Sequence, residues 1–251
     1  MARNPLVDSR DVRFVLFEML EIDRLCEFGK FSMFDRDIFE STLDLAEQIA
    51  VEKLYPANSA ADRSGGARYD AENMKVYSPP EFRAAMEDFN RACFAGLAID
   101  SGWGGSGMPE VLYRAALEYF FAASLAFTMH VTLSVGAANL INSAASDGLK
   151  NLYLPDMVAG RWGGTMCLTE SEAGSDVGAL KTRAVKQADG TYLITGQKIF
   201  ISSGDNDLYE NMIHPVLARI DGDPPGTRGI SIFLVPKFFP NGDGTIGERN
   251  D

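Results

Sequence analysis

The sequence predicts an α+β protein: an N-terminal all-α helical bundle followed by a mostly antiparallel, β-barrel-like domain. Three observations predict it. Apolar residues recur at three- and four-residue steps up to about residue 160, alternation with a period of two takes over after Gly160, and an Asp189-Gly190 pair sits between two alternating runs. Helices first and strands afterwards argue for segregated layers, not a βαβ alternation. At 251 residues the chain has room for a sizeable core. The pattern divides it into an arm over 1–37, a helical domain over 38–160 and a β-domain over 161–251.

In chain order, Phe39, Leu43, Ala46, Ala50 and Leu54 form an amphipathic stripe that Pro56 is expected to stop. Residues 58–77 are polar and contain glycine. Ser78-Pro79-Pro80-Glu81 reads as an N-cap, a proline at the first helical position and a capping-box glutamate, opening a helix to about Phe94. After the glycine cluster Gly102 to Gly107, Pro109-Glu110 opens another helix, and the bundle continues to about Ala145. The stretch Tyr119 to Ser146 has no charged residue and is long enough to span a bilayer. Its content of alanine, Ser124, Thr128, His130, Thr132, Ser134, Asn139 and Asn142 suits a bundle interior better, so no membrane partner is expected. Leu149 to Ala159 reads as one more short helix. Strands follow at Thr182 to Gln187 and Thr191 to Gly196, which form a hairpin, then at Met212 to Arg219, Gly229 to Val235 and Gly244 to Arg249.

Composition narrows the function. Hydrophobic residues at 46% and charged residues at 23% are ordinary globular values. A formal net charge of −12 lacks the basic excess that neutralises phosphates, so no nucleic-acid partner is expected. Cys26, Cys93 and Cys167 are odd in number and far apart, which indicates neither a disulfide framework nor a metal site and suits a reducing, cytoplasmic setting. The N-terminus MARNPLVDSRDVRF has charges where a secretory leader needs an apolar run. Gly102, Gly104 and Gly107 satisfy GxGxxG literally, but FNRACFAGLAI before them reads as helix, so they read as a link between helices. The only histidines, His130 and His214, lie in no hydrolase or metalloprotease context, and His130 reads as a core histidine.

The informative segments are Met166-Cys167-Leu168-Thr169-Glu170-Ser171-Glu172-Ala173-Gly174-Ser175-Asp176 and Gly196-Gln197-Lys198-Ile199-Phe200-Ile201-Ser202-Ser203-Gly204. The first reads as a strand ending in a loop. Small residues there let the main chain approach a ligand, and Thr169 and Ser175 add hydroxyls. The second reads as a strand whose period of two puts Phe200 and Ser202 on one face, where a flat heteroaromatic ring could stack and accept a hydrogen bond.

Together with the following RGISIFLV, these segments resemble the central β-domain of the acyl-CoA dehydrogenase family. LDLAEQIAVEKLYPANSAAD and GWGGSGMPE resemble that family's N-terminal helical domain, so the likeness spans roughly 38–251. The arm, with DVRFVLFEML, resembles the extra segment of the longer bacterial branch that includes 3-methylmercaptopropionyl-CoA dehydrogenases. The resemblance implies a cytoplasmic flavoprotein oxidoreductase of fatty acid metabolism that binds FAD and an acyl-CoA. Met166, Cys167, Leu168, Thr169, Gly174 and Ser175 would border the cofactor, together with Phe200, Ile201 and Ser202. Ser175 would also touch the acyl-CoA. Phe200 and Ser202 stand where the family has tryptophan and threonine, and Ser171 and Glu172 where it has proline and glycine. The same resemblance implies an electron-transfer flavoprotein as electron acceptor and a homo-oligomer. Its proton-abstracting carboxylate belongs to a C-terminal helical domain expected to be absent here, so no catalytic residue is assigned, the chain alone is expected to be inactive, and Glu170 reads as solvated or structural. A non-catalytic module of the same fold and a related flavin monooxygenase are the alternatives.

Overall fold

The computed structural model describes residues 4–242 and 244–250. The N-terminal segment packs α1 (Ser9–Arg13) and a following π-helical turn against the bundle through Val12, Leu16 and Phe17. The Asp35 carboxylate caps α2 (Arg36–Ile49) by accepting from the Ile38 amide at 2.8 Å, and the apolar stripe buries Phe39, Leu43, Ala46 and Ile49. Pro56 does not stop this run. A π-helical turn over Ala50–Leu54 shifts the register, so that Tyr55 donates back to the Ala50 carbonyl and Pro56 falls in the first turn of α3 (Tyr55–Arg63), where a missing amide hydrogen costs nothing. The polar stretch then forms a hairpin of β1 (Arg68–Asp70) and β2 (Lys75–Tyr77).

The expected capping box at Ser78 is also corrected. Helix α4 (Glu81–Arg91) starts at Pro80 with no side-chain cap, and the Ser78 amide, which a capping-box Glu81 would accept, donates to Asp207 Oδ1 at 2.7 Å instead. The helix ends early, at the left-handed Cys93. The uncharged run is two helices, α5 (Glu110–Ala123) and α6 (Leu125–Ala144), parted by the extended Ser124. By length and composition α6 could cross a membrane, yet Phe127, Val131, Val135, Ala138 and Ile141 are buried in the protein. Ser124 Oγ accepts from the Phe127 amide at 3.3 Å and donates to Asn58 Oδ1 at 2.8 Å. Ser124→Ala should therefore cost about 1 kcal/mol in chemical denaturation, and a neutral result would show that the corner is held by packing alone. Helix α7 (Asp147–Val158) completes the helical part.

The sheet consists of β3 (Trp162–Gly164), β4 (Arg183–Lys186), β5 (Tyr192–Thr195), β6 (Asn211–Ile220) and β7 (Ile230–Pro236). The Asp189-Gly190 hairpin joins β4 and β5 as expected. One expectation fails: the sheet does not close into a barrel. Its longer ladders, β6 with β7 and β4 with β5, are antiparallel as expected, and the parallel pairs are the short ones. Strand β6 is a spine paired on both edges. Antiparallel β7 covers one edge, while parallel β3 and then parallel β4 take opposite ends of the other. Strand β5 pairs with β4 and, among the described residues, has no second ladder, which leaves the sheet open. Burial on both faces replaces the alternation expected for β6. A two-stranded β8 (Phe238–Pro240) and β9 (Ile246–Arg249) follow.

The hydrophobic core crosses from helices to strands. Tyr209 and Met212 join the bundle core, and Trp162 and Ile213 pack with Ala137, Ile141, Tyr153, Leu154 and Met157. Gly164 makes this closeness possible, since a Cβ there would meet the Ala137 methyl at 2.5 Å.

Candidate functional site

The first motif leaves β3 along the same edge of β6. Cys167 donates to the Pro215 carbonyl at 2.8 Å and accepts from Leu217 at 3.0 Å. Pairing ends there. Glu170 and Ala173 exchange backbone hydrogen bonds of 3.0 and 3.2 Å around Ser171-Glu172, which closes a tight turn. Ser171 and Glu172 are exposed at its tip, and Glu172 pairs with the Lys181 ammonium.

The second motif is not a strand. Phe200 and Ser203 both have φ of 58°, which breaks the extended geometry, so Phe200 and Ser202 do not share a sheet face by period two. The segment is instead an irregular loop laid beside the first motif. The Ile199 amide donates to the Thr169 carbonyl at 2.9 Å, and Lys198 Nζ donates to the Leu168 carbonyl at 3.0 Å.

Glu170 holds this junction together. Its carboxylate accepts from the Lys181 amide at 2.7 Å, the Thr182 amide at 3.0 Å, the Thr182 hydroxyl at 2.5 Å and Lys198 Nζ at 2.8 Å. Burial pushes its pKa up, but the hydrogen bonds from Lys198, Thr182 and the two amides outweigh that and hold it at about 2. A carboxylate so satisfied is a poor proton acceptor and a good structural clasp. The sequence alone did not indicate Lys198 and Thr182 as its partners. The available signal was Lys198 itself, the one charge in GQKIFISSG.

Of the residues singled out from sequence, Cys167 is buried with its thiol 3.4 Å from Thr165 Oγ1, and Leu168 packs on Ala173, Leu180 and Leu217. Both side chains serve packing, and their backbone is engaged too, Cys167 with β6 and the Leu168 carbonyl with Lys198. Met166, Gly174, Ser175, Phe200 and Ser202 are exposed, while Thr169 and Ile201 are half-buried. Phe200 is 89% exposed. The hydroxyls of Thr169, Ser175 and Ser202 make no hydrogen bond to any described residue, and so remain free to donate. An exposed aromatic residue on a loop laid beside a segment with free hydroxyls and small residues suits a flat heteroaromatic cofactor such as FAD.

The family model described as "Acyl-CoA dehydrogenase, N-terminal domain" matches residues 42–161, and "Acyl-CoA dehydrogenase, middle domain" matches 165–247. The chain belongs to the acyl-CoA dehydrogenase family. It is 40% identical over 253 residues to a butyryl-CoA dehydrogenase of Syntrophomonas wolfei, an alignment covering 99% of this chain and 41% of that one. It is 34% identical over 241 residues to the 3-methylmercaptopropionyl-CoA dehydrogenase of Ruegeria pomeroyi, covering 96% and 40%. The solved butyryl-CoA dehydrogenase of Megasphaera elsdenii superposes with a TM-score of 0.64 at 27% identity, over 79% of this chain and 48% of that one. The chain thus spans about 40% of the length of the two curated relatives. Within this acyl-CoA dehydrogenase chain, the two motifs border one another.

Proposed function

We propose that this chain supplies one wall of the FAD site of an acyl-CoA dehydrogenase, an oxidoreductase that removes two hydrogens across Cα and Cβ of an acyl-CoA thioester. The observation that carries the proposal is the hydrogen bond from Ile199 to Thr169, which sets the two motifs side by side. Bound FAD would supply the two-electron acceptor that protein side chains lack. The chain's own part is orientation. Thr169 and Ser202 would donate to the cofactor, Phe200 would offer an aromatic face, and Ser175 would touch both cofactor and acyl-CoA.

The reading takes the proton acceptor from the C-terminal helical domain that the family resemblance implies; Glu170 is a poor candidate, since its carboxylate already accepts from four donors. The reading includes an electron-transfer flavoprotein as electron acceptor, a homo-oligomer that completes the cofactor site, a cytoplasmic setting, and the division into 1–37, 38–160 and 161–251.

Titrating the chain with FAD and following flavin absorbance tests the wall. Thr169→Val and Phe200→Ala are each expected to weaken binding by about tenfold, the worth of one hydrogen bond or one aromatic contact. Unchanged affinity in both would remove the motifs from the cofactor. When an acyl-CoA is then added, the flavin of this chain should stay oxidised; full bleaching would place the base within these residues.

A further inference from the structure

Residues 196–206 carry two left-handed non-glycine residues within four positions, Phe200 and Ser203. Such a conformation is unfavourable for an L-residue, and for a ring-bearing one especially, so something outside the loop must impose it. Little within the loop does. Gly204 donates to the Ile201 carbonyl at 3.1 Å, and Asn206 donates through Nδ2 to the Ser203 carbonyl at 3.4 Å. Phe200 is 89% exposed, so packing does little to set the direction of its ring and the backbone decides it.

Two anchors to other elements bracket that ring. One is the Ile199 amide on Thr169, already described. The other reaches the helical bundle, where Ser203 Oγ lies 2.6 Å from Nδ1 of His130 on α6, 73 residues away in sequence. Asn206, which is buried, donates through Nδ2 to the same Ser203 oxygen at 3.2 Å. With that oxygen accepting from Asn206, the serine hydrogen is left to donate to Nδ1, the partner a neutral imidazole offers. Burial lowers the His130 pKa and so favours that neutral form.

His130 is itself held in place. Its carbonyl accepts from Ser134 Oγ at 2.8 Å and from the Tyr209 hydroxyl at 3.4 Å, and Ser134 Oγ accepts from the Gly164 amide of β3 at 3.1 Å. The histidine thus stands at a point where helix, sheet and loop are joined by hydrogen bonds.

We propose that His130, through Ser203, is a positioning residue for the cofactor-facing loop, setting the direction in which Phe200 and Ser202 are presented. The flavin part of this claim rests on the proposed function, whereas the ordering of the loop does not.

The test pairs His130→Ala with Ser203→Ala, and uses His130→Asn as the conservative variant, since its Oδ1 can accept where Nδ1 does. Hydrogen exchange and FAD titration are both read. In His130→Ala and in Ser203→Ala, amide exchange at Ile201 to Gly204 should rise about tenfold, FAD should bind about tenfold more weakly, and the absorbance bands of bound flavin should shift. Combining the two alanines should add nothing beyond either alone, because both break one contact. His130→Asn should restore loop protection, affinity and spectrum, which a merely space-filling role would not produce. Exchange in α6 one turn or more from residue 130 should stay as in the parent. Wild-type loop exchange in both alanine variants, or failure of His130→Asn to restore it, overturns the proposal. A parent chain that binds no FAD overturns the functional reading instead, and loop exchange alone then decides whether His130 orders the loop.

Discussion

Glu170→Gln lowers the stability of the chain by about 3 kcal/mol, the cost of leaving a buried ion unpaired. Lys198 and Glu170 have side chains 10% and 8% exposed, so the ammonium has little water to turn to when the carboxylate loses its charge. The amide that glutamine introduces also points two hydrogens at a site built wholly of donors, the Lys181 and Thr182 amides and the Thr182 hydroxyl. Urea unfolding monitored by circular dichroism would show the loss as a lower midpoint with an unchanged slope.

The same change has a signature in pH. The folded carboxyl lies at about 2, below its ordinary 4.5. Its contribution is therefore fully present above the unfolded value and is lost as pH falls from 4.5 through about 2. The gap between parent and Glu170→Gln should narrow over that window and stay constant from pH 6 to 8. A gap below about 1 kcal/mol at neutral pH, within the range of an exposed pair, would mean that the clasp is not what joins the motifs.

Phe120→Ala should destabilise the chain by about 3–5 kcal/mol, the usual cost of emptying an aromatic site in a packed core. Phe120 is fully buried and meets Phe89 and Phe94 edge-on at 5.3 and 5.0 Å, while Phe89 meets Phe127 at 6.0 Å. The cluster joins α4, α5 and α6, so the cavity cannot close without moving a helix. Thermal unfolding of the variant, compared with the milder Phe120→Leu, measures it. A loss under about 1.5 kcal/mol would show that the bundle relaxes freely and gives α6 no rigid seat. Because α6 carries His130, the variant should also loosen the loop at Ser203.

Local rules carried the sequence a long way where a single segment decides its own state. The stripe of Phe39, Leu43 and Ala46 formed a helix and Asp189-Gly190 formed a hairpin. The same rules failed where a distant partner intervened. Pro56 was bypassed by a π-helical turn, and Asp207, 129 residues away, took the Ser78 amide expected to pair with Glu81. Phe200 and Ser202 left their expected common face because a left-handed residue has no place in a period of two.

The amino-acid order alone determined the coarse order of helices then strands, the hydroxyl-bearing residues Thr169, Ser175 and Ser202, and the two motifs that mark the acyl-CoA dehydrogenase family. Only the tertiary structure decided that the sheet stays open, that Glu170 is a clasp, and that His130 reaches Ser203. The reason is physical: propensity and periodicity act over a few neighbouring residues, whereas Glu170 draws its donors from 11, 12 and 28 positions away and Ser203 finds its histidine 73 positions away. Such contacts exist only once burial has brought the segments together.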